Sequence, residues 1–243
     1  MRVYLHPDFS LRGSKLHDVH LGAAYRLSPD AVWLLKRLYK NAELAQLVSA
    51  VVAQRSVSEE DARAAVLTFY AQLGMVGAVR VVWDGLVWWR VRAWATWRQR
   101  ERASLLGFIK SMWRAYGWLS LGMTSIGILL AHFAKLPLMY GALPIFLFVS
   151  CAAHEAGHVA AAKTTGMQAV VLSHVGYSAV SYMPRRGKDR VLTSLAGPLS
   201  GAIVCAASGI GEPHILLPLV ALAIMHVCCL LPWSADGAAI WRP

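Results

Sequence analysis

Over residues 1–95 apolar positions recur at intervals, and from residue 117 onward they run together. In the first stretch, Val3–Leu5 and Val19–Leu27 are β-prone. Ser28-Pro29-Asp30 then has the makeup of a helix start: a capping hydroxyl, a proline for the first turn and an acid near the positive end of the helix dipole. The helix that follows places Val32, Leu34, Leu35, Leu38 and Tyr39 largely on one stripe. A second, Ala42–Gln54, buries Leu44, Leu47, Val48 and Val51. A third begins at Ser58 with Glu59, Glu60 and Asp61 in its first turn and repeats Ala62, Ala65, Val66, Phe69 and Leu73. After Gly74 and Gly77, Asp84-Gly85 between Val79–Trp83 and Leu86–Val91 is a hairpin signal. The pattern predicts a small winged-helix-like α+β domain over 1–95.

Beyond it, Gly117–Ala134, Leu138–Ala162, Val191–Ile210 and Ile215–Leu231 are apolar runs, each near the ~20 residues that cross a bilayer core. Between the second and third, Met167–Met183 is β-branched and contains glycine, so it reads as a β-hairpin at the membrane edge. Its backbone must pair there with itself, with protein or with a bound peptide. The expected architecture is an α-helical membrane protein with about four transmembrane helices and this hairpin, preceded by the α+β domain. Residues 96–116 close a connector that starts at Leu86 and interleaves Trp88, Trp89, Trp94, Trp97, Trp113 and Trp118 with Arg90, Arg92, Arg98, Arg100, Arg102, Lys110 and Arg114. Tryptophan favours the headgroup layer and arginine favours anionic lipid, which predicts an interfacial helix.

Composition sharpens this picture. Hydrophobic residues make up 57% of the chain and charged residues 15%, where a soluble domain carries about a quarter. The net charge of +11 lies beside apolar runs, in 90–114 and 185–190, as on cytoplasmic membrane flanks and unlike a nucleic-acid surface. An even number of spans separates those two flanks, so both are cytoplasmic, as are both termini of an integral, multi-pass chain. No apolar signal core opens the sequence, and no cleaved secretory peptide is expected. Cys151, Cys205, Cys228 and Cys229 all lie in apolar stretches without a CxxC spacing, which predicts small buried residues and neither a disulfide frame nor a zinc knuckle.

Within the second span stands His154-Glu155-Ala156-Gly157-His158, an H-E-x-x-H motif. Positions i and i+4 share a helix face, so both imidazoles can bind one Zn²⁺, and Glu155 between them can exchange the proton of an activated water. Ionisable groups inside a span are costly and mark function. A third ligand is needed. The acids downstream are Asp189, Glu212 and Asp236. Asp189 stands between Lys188 and Arg190, where ion pairing explains it, and Glu212 falls on the far side. Asp236 lies about 32 Å down the fourth span, against about 24–30 Å for the histidines down the second. Pro232 and Gly237 would loosen the helix and let the carboxylate turn inward. His226 is the rival ligand, about 15 Å higher if the helix is unbroken. His174 in the hairpin is a weaker one, suited to substrate or to the surroundings of the ligands.

Two stretches resemble known families. Tyr25–Val79, with its leucine-serine-proline start, three helices and Leu73-to-Gly77 exit, resembles the PqqD-like family, the RiPP recognition element. That resemblance implies a domain that holds the leader of a ribosomally made precursor peptide as an added β-strand. HEAGH (154–158), LAGPLSG (195–201) and CLLPWSADG (229–237) together resemble the site-2 protease family of intramembrane zinc metallopeptidases over residues 117–243. This implies zinc ligation by His154, His158 and Asp236, and the general-base role for Glu155. The family's asparagine, associated with the transition state, corresponds to Cys229 here, and thiol is a poor donor. The interval from Pro232 to Asp236 is one residue shorter than the family's.

The combined expectation is an intramembrane zinc peptidase. It would cleave a peptide captured by the N-terminal domain, or a membrane protein, with lipid as the other partner and no nucleic acid. A non-catalytic, membrane-anchored peptide-binding or immunity protein is the alternative from another class, favoured by Cys229. Site-2 cleavage of a membrane-bound regulator is a third reading.

Overall fold

A computed structural model describes residues 2–39, 43–82, 99–183, 187–210 and 213–241. The chain divides into two compact units, Met1–Arg100 and Glu101–Pro243.

In the first unit, Ser28 caps helix α1 (Pro29–Leu38): its hydroxyl accepts the Ala31 N–H at 3.2 Å. Ser58 does the same for α3 (Glu59–Met75) through Asp61, and α2 (Leu44–Arg55) lies between them. Their inward faces supply Leu34, Leu35, Leu38, Leu47, Val48, Val51, Ala62, Val66, Phe69 and Leu73 to one core. Two positions of the expected stripes do not follow: Tyr39 and Ala65 are exposed, and Tyr70, fully buried, takes the place facing the core. Strand β1 (Arg2–Leu5) pairs antiparallel with β5 (Val79–Val82). The β-prone stretch 19–27 is not one strand. Val19–Gly22 turns, and β4 (Ala23–Arg26) joins β2 (Phe9–Arg12) and β3 (Lys15–Asp18) in a sheet of order β2-β3-β4. At four residues each, β2 and β3 are at the shortest length at which alternation registers, which hides them from a pattern reading. The expected hairpin around Asp84-Gly85 lies outside the described residues.

Arg100 ends this unit. Its guanidinium is buried, 2.8 Å from Asp18 and 3.5 Å from Asp8, and sits over the Phe9 ring. This corrects the expectation of a lipid-facing arginine: two buried carboxylates compensate its charge. Trp88, Trp89, Trp94 and Trp97 with Arg90, Arg92 and Arg98 lie outside the described residues.

The second unit is built on long apolar helices. Helix α4 (Leu105–Met112) continues through a π-helical turn (Trp113–Gly117) into α5 (Trp118–Phe133), one apolar helical stretch of 29 residues. Residues 105–116 are therefore part of the first long helix and not a separate interfacial one. Lys110 and Arg114 pair with Glu101 instead of reaching for lipid. A 3-10 turn (Leu138–Ala142) leads into α6 (Leu143–Thr164), and the third long helix is α7 (Gly187–Ser208). Among the described residues these three are long and apolar enough to cross a membrane. Helix α8 (Pro213–Cys228), the expected fourth span, is apolar but has only 16 residues. Large side chains such as Ile126, Leu130, Ile203 and Leu217 stand exposed on these helices, where a soluble fold would bury them.

Helix α7 begins four residues before the expected Val191, so Asp189 is not in a basic loop but buried in a first helical turn. Strands β7 (Ala169–His174) and β8 (Tyr177–Tyr182) pair antiparallel about Gly176, whose φ of +74° suits the turn. They extend β6 (Gln99–Arg102) into a sheet of order β6-β7-β8. The π-helical turn holds this pair: the Ala115 carbonyl accepts the Gly176 N–H at 2.7 Å, and the Tyr116 hydroxyl accepts the Ser178 N–H at 3.2 Å. A π turn leaves a carbonyl without its helical donor, and here a strand turn supplies one.

Candidate metal centre

Helix α6 carries His154, Glu155 and His158 on its buried face, at 9%, 8% and 4% exposure. Such burial of three ionisable groups calls for compensation. It comes first from α7. His158 Nδ1 donates to the Thr193 carbonyl at 2.6 Å, so the neutral ring presents its Nε2 lone pair toward the Asp236 carboxylate. The glycines of the LAGPLSG stretch make this approach possible. A Cβ on Gly197 would fall 2.2 Å from His158 Nε2, and one on Gly201 would fall 2.7 Å from His226 Nδ1. Small residues spaced i, i+4 thus seat two imidazoles against one helix.

The third participant comes from beyond α8. That helix ends at Cys228, and a turn follows in which the Leu230 and Leu231 N–H groups bond back to Val227 and Cys228. Ser234 then caps the short helix α9 (Ala235–Trp241): its hydroxyl accepts the Gly237 N–H at 2.9 Å and donates to the Cys229 carbonyl. Asp236, in the first turn of α9, is aimed at the histidines. Its Oδ2 is 3.2 Å from His154 Nε2 and its Oδ1 3.3 Å from His158 Nε2. The two Nε2 atoms are 3.2 Å apart.

His154, His158 and Asp236 form a group able to hold a metal ion: one ligand atom from each lies within 4.8 Å of the others. The donor set fits a borderline-soft divalent cation with nitrogen and carboxylate ligands. Two imidazole lone pairs and a carboxylate converging in a buried space repel one another until a cation sits among them. Glu155 lies beside the group. Its Oε2 is buried with no hydrogen-bond partner among the described residues, and its carboxylate interacts with the Ser178 side chain. The Ser178 hydroxyl is in turn 3.4 Å from that of Tyr116.

The remaining candidates fall elsewhere. His174 ends β7, stacks on Tyr177 at 4.8 Å and directs Nδ1 at the Val175 carbonyl, so the structure does not bring it into the ligand group. Cys229 sits in the turn after α8 and bonds through its thiol to the Met225 carbonyl of the same helix. All four cysteines are free thiols, and Cys228 is exposed, unlike the burial expected of it. Glu212 lies outside the described residues. His226 is 3.1 Å from His154, Nδ1 to Nδ1. The expected separation of His226 from the site assumed an unbroken helix from 226 to 236. The turn at 229–234 reverses the chain and returns Asp236 to the level of His226. Sequence reasoning passed over Thr193, Ser178, Tyr116 and Ser234. Of these only Ser234, a capping hydroxyl three residues before Gly237, leaves a signal in the sequence.

No family model matches the chain, and no curated protein or solved structure matches it.

Proposed function

We propose that the chain is an intramembrane zinc metallopeptidase of the site-2 protease kind. The observation that carries the reading is the convergence of His154 Nε2 and His158 Nε2 from one apolar helix with the Asp236 carboxylate from another, and Glu155 beside them. His154, His158 and Asp236 would hold the zinc, leaving a position open for water or substrate. Zinc, when bound, supplies Lewis acidity that polarises a peptide carbonyl and lowers the pKa of a water toward neutrality.

The rest of the chemistry belongs to the chain. Glu155, with Oε2 unengaged, takes the proton of the attacking water and returns it to the departing amine nitrogen. The Ser178 side chain flanks that carboxylate, and Tyr116 bonds Ser178. The β7–β8 pair stands at the membrane edge, and β8 offers an edge to which an extended substrate can add. Such pairing presents the scissile carbonyl that a helical substrate would hide. Helix α8 is the fourth span, both termini are cytoplasmic, and the site opens to that side. The N-terminal unit, PqqD-like in its three short helices, captures a peptide and delivers it, with the leader of a ribosomally made precursor as the fitting partner.

The experiment is peptide cleavage by the full-length protein in detergent or vesicles. Glu155→Ala should retain zinc and lose cleavage; processing that survives the substitution overturns the reading. A second reading has one observation behind it. Cys229 stands where the resembled family has an asparagine and spends its thiol on the Met225 carbonyl. On that reading the chain binds a peptide and a metal without cutting, and zinc with no cleavage of any neighbouring precursor would favour it.

A further inference from the structure

We infer that His226 is a positioning residue for His154. Its Nδ1 accepts the proton on His154 Nδ1 and so holds the His154 Nε2 lone pair toward the metal position. The inference rests on the metal reading above and concerns a residue outside the ligand set.

The geometry is that of an edge contact. The Nδ1 atoms are 3.1 Å apart, the ring centroids 5.2 Å apart and the planes inclined by 37°, so the rings meet through their nitrogens and not face to face. His226 is 3% exposed, and the backbone at Gly201 packs against its ring beside Nδ1, so the ring is held in the contact between α7 and α8. Helix α8 therefore presents one nitrogen to His154 and keeps it there.

Counting protons fixes the direction of the bond. Two facing Nδ1 atoms bond only if one of them carries hydrogen. A nitrogen that ligates a metal carries none, so with Nε2 turned to Asp236 and His158, the proton of neutral His154 is on Nδ1. His226 Nδ1 is then the acceptor, and the His226 proton is on Nε2. That Nε2 is buried and has no hydrogen-bond partner among the described residues. A tautomer that leaves a buried N–H unmet is costly. It is retained here because the other tautomer would set two N–H groups against each other at His154. His158 is held from behind in the same way, by the Thr193 carbonyl. Partners on the far nitrogen fix a ligating imidazole's tautomer and orientation and raise its basicity.

The test is zinc affinity of the full-length protein in detergent, by competition with a chelating dye, for wild type, His226→Leu and His226→Asn. Leucine fills the site without an acceptor. The asparagine Oδ1 sits as many bonds from Cα as imidazole Nδ1 and can accept. His226→Leu should weaken zinc binding by about 10- to 100-fold, and His226→Asn should recover most of that loss. Equal weakening in both variants, or wild-type affinity in both, overturns the role of His226 while leaving the metal site standing. A wild type that binds no zinc overturns the metal reading and this inference with it. Should the leucine variant fail to fold, nitrogen-15 spectra of histidine-labelled, zinc-loaded wild type decide: His226 as the Nε2–H tautomer supports the inference, and a proton on His226 Nδ1 refutes it.

Discussion

His158 and Thr193 are joined by a 2.6 Å hydrogen bond from imidazole Nδ1 to a backbone carbonyl of the neighbouring helix. This bond sets which nitrogen of His158 faces Asp236, and it depends on how closely α6 and α7 approach. The approach is possible because Gly197 has no side chain, so the ligand geometry is written into a helix that contributes no ligand.

Gly197→Ala places a methyl group against the His158 ring and should cost about 1–3 kcal/mol through overpacking, with zinc affinity falling at least about tenfold. Gly122→Ala in α5, where an added Cβ meets nothing within 4 Å, should leave affinity and stability near wild type. Thermal unfolding and zinc titration of the two variants check the contrast. Equal behaviour would mean that the α6–α7 approach does not govern the site.

Glu155→Gln should keep zinc and lower peptide hydrolysis by about 10²- to 10⁴-fold, the range of a general base. Zinc content and turnover are measured on the same preparation. Loss of the metal in this variant would make Glu155 a ligand instead of a base.

Ser178→Ala and Tyr116→Phe alter the bonded pair beside Glu155 without touching a ligand. Both should lower kcat by about tenfold, as misplacement of a reacting group does, and leave zinc affinity unchanged. A matching fall in zinc affinity would assign these residues to the architecture of the metal site.

Ser234→Ala removes the cap of α9 and should cost about 1 kcal/mol. The same change frees the turn that directs Asp236, so zinc should bind more weakly although no ligand has changed. The check is zinc titration beside thermal unfolding, and a stability loss with intact affinity would separate the cap from the site.

Arg100→Ala leaves Asp8 and Asp18 buried without their arginine and should destabilise the N-terminal unit by about 3–5 kcal/mol. Hydrogen exchange at Leu35, Val66 and Tyr70 in the full-length protein reads this loss. Unchanged protection there would show that the ion cluster contributes little.

What could be read from the sequence was what is written locally. The caps at Ser28 and Ser58, the apolar stripes of the three short helices and the His154-to-His158 spacing each depend on residues within a turn or two. Asp236 was reached by matching depth along two apolar runs, though the helix ends at Cys228, ahead of the Pro232 and Gly237 expected to loosen it. The partners that proved hard to read are far apart in the chain. Arg100 meets Asp18 across 82 residues, and His226 meets His154 across 72. Nothing in the periodicity of either segment encodes the other. Backbone carbonyls such as Thr193 and Ala115 act through fold geometry alone, which any residue type could supply.

The most direct measurement is the zinc content of the purified full-length protein and of Asp236→Ala, by elemental analysis after removal of loosely bound metal. About one zinc per chain in the wild type and almost none in Asp236→Ala is the expected result, because a site of three protein ligands does not survive on two. A wild type without zinc, or an Asp236→Ala protein that keeps its full complement, would contradict it.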